Sequence, residues 1–79
     1  MSTLYVGGLP PTADAEFLRG LFRGFGELSR IRLVRRASGD AHRGFGYVTF
    51  DDADSALRAQ ESLDGTKTEG AQLRVAPAV

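Results

Sequence analysis

Arg43-Gly44-Phe45-Gly46-Tyr47-Val48-Thr49-Phe50 alternates with period two, the mark of a strand with two different faces. Gly46, Val48 and Phe50 point one way, and Phe45, Tyr47 and Thr49 the other. Aromatic rings stand on both sides, yet a small domain buries only one face of an antiparallel sheet. One ring-bearing face is therefore core, and the other has a different use.

The 79 residues make one domain, 1–79. A chain of this size buries only about 60% of its unfolded surface, so its core must be compact. With 42% hydrophobic and 25% charged residues the composition is that of a soluble globular protein. Cysteine is absent, which excludes disulfides and thiolate metal sites. Neither a membrane-spanning apolar run nor a basic-then-apolar leader is visible, and a cytoplasmic location is expected. The formal net charge is zero, but the charges are segregated. Arg30, Arg32, Arg35, Arg36 and Arg43 cluster around one hairpin, opposed there only by Asp40, while Asp51, Asp52, Asp54, Glu61 and Asp64 gather later. Such a layout presents a basic face to a polyanion without a basic total.

Working outward from the octamer, residues 3–7 form a short strand with Leu4 and Val6 toward the core and Thr3, Tyr5 and Gly7 on the second face. Gly7-Gly8 and Pro10-Pro11 break the chain into a loop. Asp14 is an N-cap candidate, with Glu16 in the first turn of a helix whose stripe is Leu18, Leu21 and Phe22 and whose edge is Phe17. Gly24 and Gly26 are expected to end that helix through the left-handed conformation, with Phe25 folding back onto the core. Arg-Gly-Phe-Gly occurs at 23–26 and again at 43–46, but the first copy closes a helix and the second opens a strand. Residues 28–36 read as a strand with Ile31 and Leu33 inward and Arg32 and Val34 outward, joined by a turn-rich loop at 37–42 to the octamer. Asp51 or Asp52 caps a second helix, whose expected apolar face is Ala53, Ala56, Leu57 and Leu63, ending near Asp64-Gly65. A minor hairpin at 66–70 and a last strand at 72–76, with Leu73 and Val75 inward, Arg74 and Ala76 outward and Pro77 as its stop, complete the chain.

The order βαββαβ, with right-handed crossovers, predicts a two-layer, ferredoxin-like α+β sandwich. Four antiparallel strands then carry both helices on one face. No helix remains for the other face, which should display Tyr5, Phe45, Tyr47, Thr49, Arg32, Val34, Arg43, Arg74 and Ala76. An exposed aromatic patch of that size marks a binding site. Rings beside arginines suit unstacked bases and their phosphates. Burying Tyr5, Phe45 and Tyr47 instead would expose Leu4, Val6, Val48 and Phe50, a poor exchange.

The octamer resembles the longer signature of the RNA recognition motif, a basic residue followed by Gly-aromatic-Gly-aromatic-Val-x-aromatic. Leu4-Tyr5-Val6-Gly7-Gly8-Leu9 is similar to that family's shorter hexamer, and the likeness runs from Thr3 to about Ala76. The resemblance implies base and sugar contacts at Tyr5, Phe45 and Tyr47 and a phosphate contact at Arg43. Arg32 and Arg74 are added as contacts to phosphate or base edges. Gly8 departs from the pattern, since the hexamer more often carries asparagine there, and one hydrogen-bonding contact is weakened. The chain also resembles short one-module bacterial members of the family.

The expected function is non-catalytic binding of single-stranded RNA, or single-stranded DNA, by a monomer with no cofactor, metal or membrane. The alternative is a protein-interaction module using the same aromatic face. His42 reads as a solvated loop residue, with no second histidine or thiol to build a transition-metal site. An acyl-phosphate hydrolase, which this arrangement also hosts, is disfavoured because Gly-Gly-Leu-Pro-Pro after the first strand offers no anion-binding arginine.

Overall fold

In the computed structural model, residues 1–10, 12–34 and 44–78 are described. Pro11, Arg35, Arg36, Arg43 and the loop at 37–42 with His42, all part of the reading above, lie outside the described residues.

The chain runs β1 (Ser2–Gly7), α1 (Ala15–Phe22), β2 (Leu28–Val34), β3 (Phe45–Phe50), α2 (Ala53–Leu63), β4 (Lys67–Thr68), β5 (Ala71–Gln72) and β6 (Arg74–Pro77). The main sheet is antiparallel with strand order β2-β3-β1-β6, so the two strands bearing the aromatics are the middle pair. Strands β4 and β5 form the separate minor hairpin expected at this point. Both helices pack on one side, which makes this the ferredoxin-like two-layer sandwich.

Alternation on the middle strands holds except at Gly7, which shares the face of Tyr5 but is buried under its ring. Leu4, Val6, Val48 and Phe50 are buried, whereas Tyr5, Phe45, Tyr47 and Thr49 are half-buried on the reverse side. Leu18 and Phe22 of α1 and Ala56 and Ala59 of α2 close the core from above, with the Phe22 and Phe50 rings edge-on at 6.1 Å. Each helix start is held by an aspartate, because the first backbone N–H groups of a helix have no partner within it. Asp14 Oδ1 accepts from Phe17 N at 2.9 Å. Asp52, rather than Asp51, accepts from Ser55 N at 3.1 Å.

Three expectations are corrected, and strand β2 adds an irregularity. Helix α1 stops at Phe22 and tightens into a 3₁₀ turn over Arg23–Phe25, and Gly24 is not left-handed. Gly26 is needed for closeness instead, since a Cβ there would lie 2.7 Å from Ser55 Cβ on α2. On α2, Ala53 is exposed and Leu57 is 51% exposed, while Ser55, Ala56 and Ala59 are buried. Ser55 can be buried because its hydroxyl donates to Asp52 Oδ2 at 3.2 Å. Strand β2 carries a bulge between Leu28 and Arg30, which returns Leu28 to the core side although it is even-numbered like Arg32. The final strand is broken at buried Leu73, and Pro77 belongs to β6, opposite Leu4, instead of ending it from outside. Proline is tolerated there because β6 is an edge strand.

The corrected α2 face has a measurable consequence. Leu57→Lys should change unfolding free energy by less than about 0.5 kcal/mol in urea titrations, as for an ordinary surface site. Ala59→Leu should cost about 1–3 kcal/mol, because extra methylenes would be forced into a filled core.

Candidate nucleic-acid interface

The uncovered face is a grid of cross-strand rows. Across its middle run Arg32, Tyr47, Tyr5 and Ala76, one from each strand. Toward one end Val34 faces Phe45 and Gly7 faces Arg74. Toward the other, Arg30 faces Thr49 and Thr49 faces Thr3. Tertiary pairing thus brings together Tyr5, from the start of the chain, and Phe45 and Tyr47, forty residues later.

The three rings pack on one another. Tyr5 lies 5.8 Å from Phe45 at an interplanar angle of 33°, and 6.0 Å from Tyr47 at 66°. Phe45 and Tyr47 meet edge-on at 6.0 Å and 87°. These separations are in the attractive range for aromatic pairs, worth about 0.5–1.5 kcal/mol each beyond area burial. Phe45 has no part in the core cluster, so the triad is a second, surface assembly supported by the pleat. Its ring positions are constrained before any ligand arrives, which lowers the ordering cost of binding.

Gly7 helps set the Tyr5 ring. A Cβ at Gly7 would fall 2.9 Å from Tyr5 Cε2 and Cζ, so the ring reclines over the bare glycine beside Phe45. Gly8 is a different case: its φ is +71°, and a Cβ would collide with the Gln72 carbonyl oxygen. Asparagine tolerates such a φ better than most residues, but here the close backbone of β5 shuts out any side chain. The departure from the hexamer pattern therefore follows from packing against the minor hairpin.

Among the arginines expected to serve the site, Arg32 is exposed in the row of Tyr47 and Tyr5. Arg74 is also exposed at the face's edge, but its Nε lies 3.8 Å from Asp64 Oδ1. That oxygen also accepts from Val75 N at 2.9 Å, satisfying an N–H on the sheet edge. Asp64 thus partly occupies Arg74, through an exposed pair worth about 0–1 kcal/mol. Arg43 lies outside the described residues. Sequence reasoning left out Arg30, which is exposed beside Thr49, although its even parity with Arg32 was the available signal. The acidic residues Asp52, Asp54 and Glu61 lie on or cap α2, in the opposite layer from Arg30 and Arg32.

Substituting Gly7 tests the ring's support. In Gly7→Ala the far end of Tyr5 must swing aside, a flexible adjustment, so the melting temperature should hardly move. The Tyr5 ring proton shifts in NMR spectra should change as the ring leaves Phe45; unaltered shifts would refute the support.

Comparison with known proteins gives the same picture at the level of the family. The family model described as RNA recognition motif matches residues 4–74. Human "Probable RNA-binding protein 23" is 38% identical over 72 residues, covering 91% of this chain and 16% of that protein. Among solved structures, RNA binding protein PG1 superimposes with a TM-score of 0.89 at 32% identity, over 100% of this chain and 95% of that one. The second RNA recognition motif of yeast poly(U)-binding protein Pub1 gives 0.84 at 30% identity, over 100% and 95%. The chain spans 16%, 54% and 50% of the length of three of the curated relatives it matches. Two signature motifs on adjacent middle strands, the sheet order and these matches lead to one conclusion: the chain belongs to the RNA recognition motif family.

Proposed function

We propose that this protein binds a short segment of single-stranded RNA across the open face of its sheet, without catalysis. Tyr5, Phe45 and Tyr47 stack on bases and sugars, and Arg32, Arg43 and Arg74 meet phosphates or base edges. The observation that carries the reading is the ring triad of Tyr5, Phe45 and Tyr47 on the side away from both helices. Aromatic faces accept any base, and A-form duplex geometry would keep bases out of reach, so the single strand is the matching ligand. Two or three stacks at roughly 1–3 kcal/mol each, with the arginine contacts, support micromolar affinity after ordering costs.

Arg74 enters this scheme with a handicap, because a phosphate must compete with Asp64 for its guanidinium. The number of phosphates engaged is then small, two or three, and the salt dependence shallow. At about −0.7 per phosphate for single strands, log K against log salt should fall with a slope of about −1.4 to −2.1.

Poly(U), the ligand in the name of one structural neighbour, and a mixed pool of single-stranded RNA are suitable probes. Replacing Phe45 and Tyr47 together by alanine should weaken binding by about 2–6 kcal/mol, at least some thirtyfold in Kd, while circular dichroism keeps the folded signature. Equal affinity for the double variant would reject stacking. No shift of wild-type protein with the mixed pool at low salt would favour the protein-interaction alternative.

A further inference from the structure

The open face changes character along its strands. At one end stand Val34 and Phe45, with Gly7 and the exposed Arg74 in the same row, and two positions further on comes Tyr47 with Arg32. Another two positions on come Arg30, Thr49 and Thr3, whose side chains are all polar, with Ala78 beside Thr3 at the edge. Successive rows on one face stand about 6.6–6.8 Å apart, two residues of strand rise. Within this last row, Thr3 Oγ1 and Thr49 Oγ1 are hydrogen-bonded at 2.9 Å. That bond uses one hydroxyl hydrogen of the two. Among the described residues neither hydroxyl has another hydrogen-bond partner, so one O–H donor and several lone pairs remain for a ligand. Both threonines are half-buried, and Arg30 beside them is exposed.

We propose that Arg30, Thr49 and Thr3 form a nucleotide subsite in which a base is held edge-on by hydrogen bonds, one step beyond the aromatic triad. Resting on the RNA-binding reading, it extends the bound segment by one nucleotide. The two hydroxyls meet the base edge as one donor–acceptor unit, and Arg30 takes the flanking phosphate. A cross-strand threonine pair also stabilises a sheet modestly by itself. Only a ligand role predicts an effect that depends on oligonucleotide length.

The experiment measures Kd for uridine oligomers lengthened one nucleotide at a time. It compares wild type, Thr3→Val/Thr49→Val, Arg30→Gln and Phe45→Ala/Tyr47→Ala. Valine preserves shape and strand preference while removing both hydroxyls. Wild type should gain affinity when the oligomer first reaches past the triad. The double valine variant should bind the shorter oligomers equally well but lose roughly two- to tenfold of that added step. Arg30→Gln should lower the salt slope on the longer oligomers by about 0.7, the share of one phosphate. Wild-type length dependence in the valine variant, or equal weakening at every length, would overturn the subsite. Loss of binding in the Phe45/Tyr47 variant alone would leave the RNA reading standing while the subsite fails. If no oligomer binds wild type at all, both fail together.

Discussion

Val6 and Val48 have no contact with solvent, and that burial fixes the direction of every residue on the two middle strands. Side chains on a strand alternate strictly, so a slip of one residue would exchange the whole of one face for the other. Tyr5, Phe45 and Tyr47 would then lie beneath the helices, with Val6, Val48 and Phe50 in water. The arrangement found avoids this because Leu18 and Phe22 of α1 bring large side chains onto the sheet while α2 offers Ser55, Ala56 and Ala59. One bulky and one small helix surface together cover the sheet in a shallow two-layer core, as the close packing of protein interiors requires.

The reverse face inherits its properties from that constraint. Because its side chains stand on a paired sheet instead of on loops, the rings of Tyr5, Phe45 and Tyr47 hold one another in place. Charge follows the same division only in part, since Arg19 of α1 and Arg58 of α2 share the helix layer with acids. Arg30 and Arg32 stand on the sheet's open side, and the acids of α2 lie across the core from them. A protein of zero formal charge thereby presents Arg30 and Arg32 together on its open side. Asp64 stands at the edge of that side, where one oxygen serves both the Val75 N–H and Arg74.

Sequence reading succeeded where the physical signal is a simple period and faltered where a contact replaces it. Residues 3–7 and 45–50 have sharp chemical contrast between their two faces, so their parity was legible. Helix α2 has little such contrast: it is rich in alanine, and hydropathy favoured Leu57 for the core. The helix instead turns Ala59 and Ser55 inward, because small residues allow close approach and the Ser55 hydroxyl is already bonded to Asp52. The bulge before Arg30 reversed the parity of Leu28, and no residue type in that stretch announces it. Gly24 and Gly26 looked like left-handed caps, but the second is kept bare by the nearness of Ser55, a residue of another element.

What the amino-acid order determined by itself was the succession of elements, the buried parity of the middle strands and the presence of three aromatic side chains with nowhere inside to go. Alternation and helical spacing are local, and a chain expresses them before it folds. Only tertiary structure decided how those side chains meet: Tyr5 reclining over Gly7, the hydroxyl bond from Thr3 to Thr49, the hold of Asp64 on Arg74, and a Gly8 shut by β5. The hydroxyl bond depends on strand register, and the contacts of Gly8 and Arg74 on the approach of a distant part of the chain. Such distances are set by packing of the whole core, which no single stretch of sequence contains.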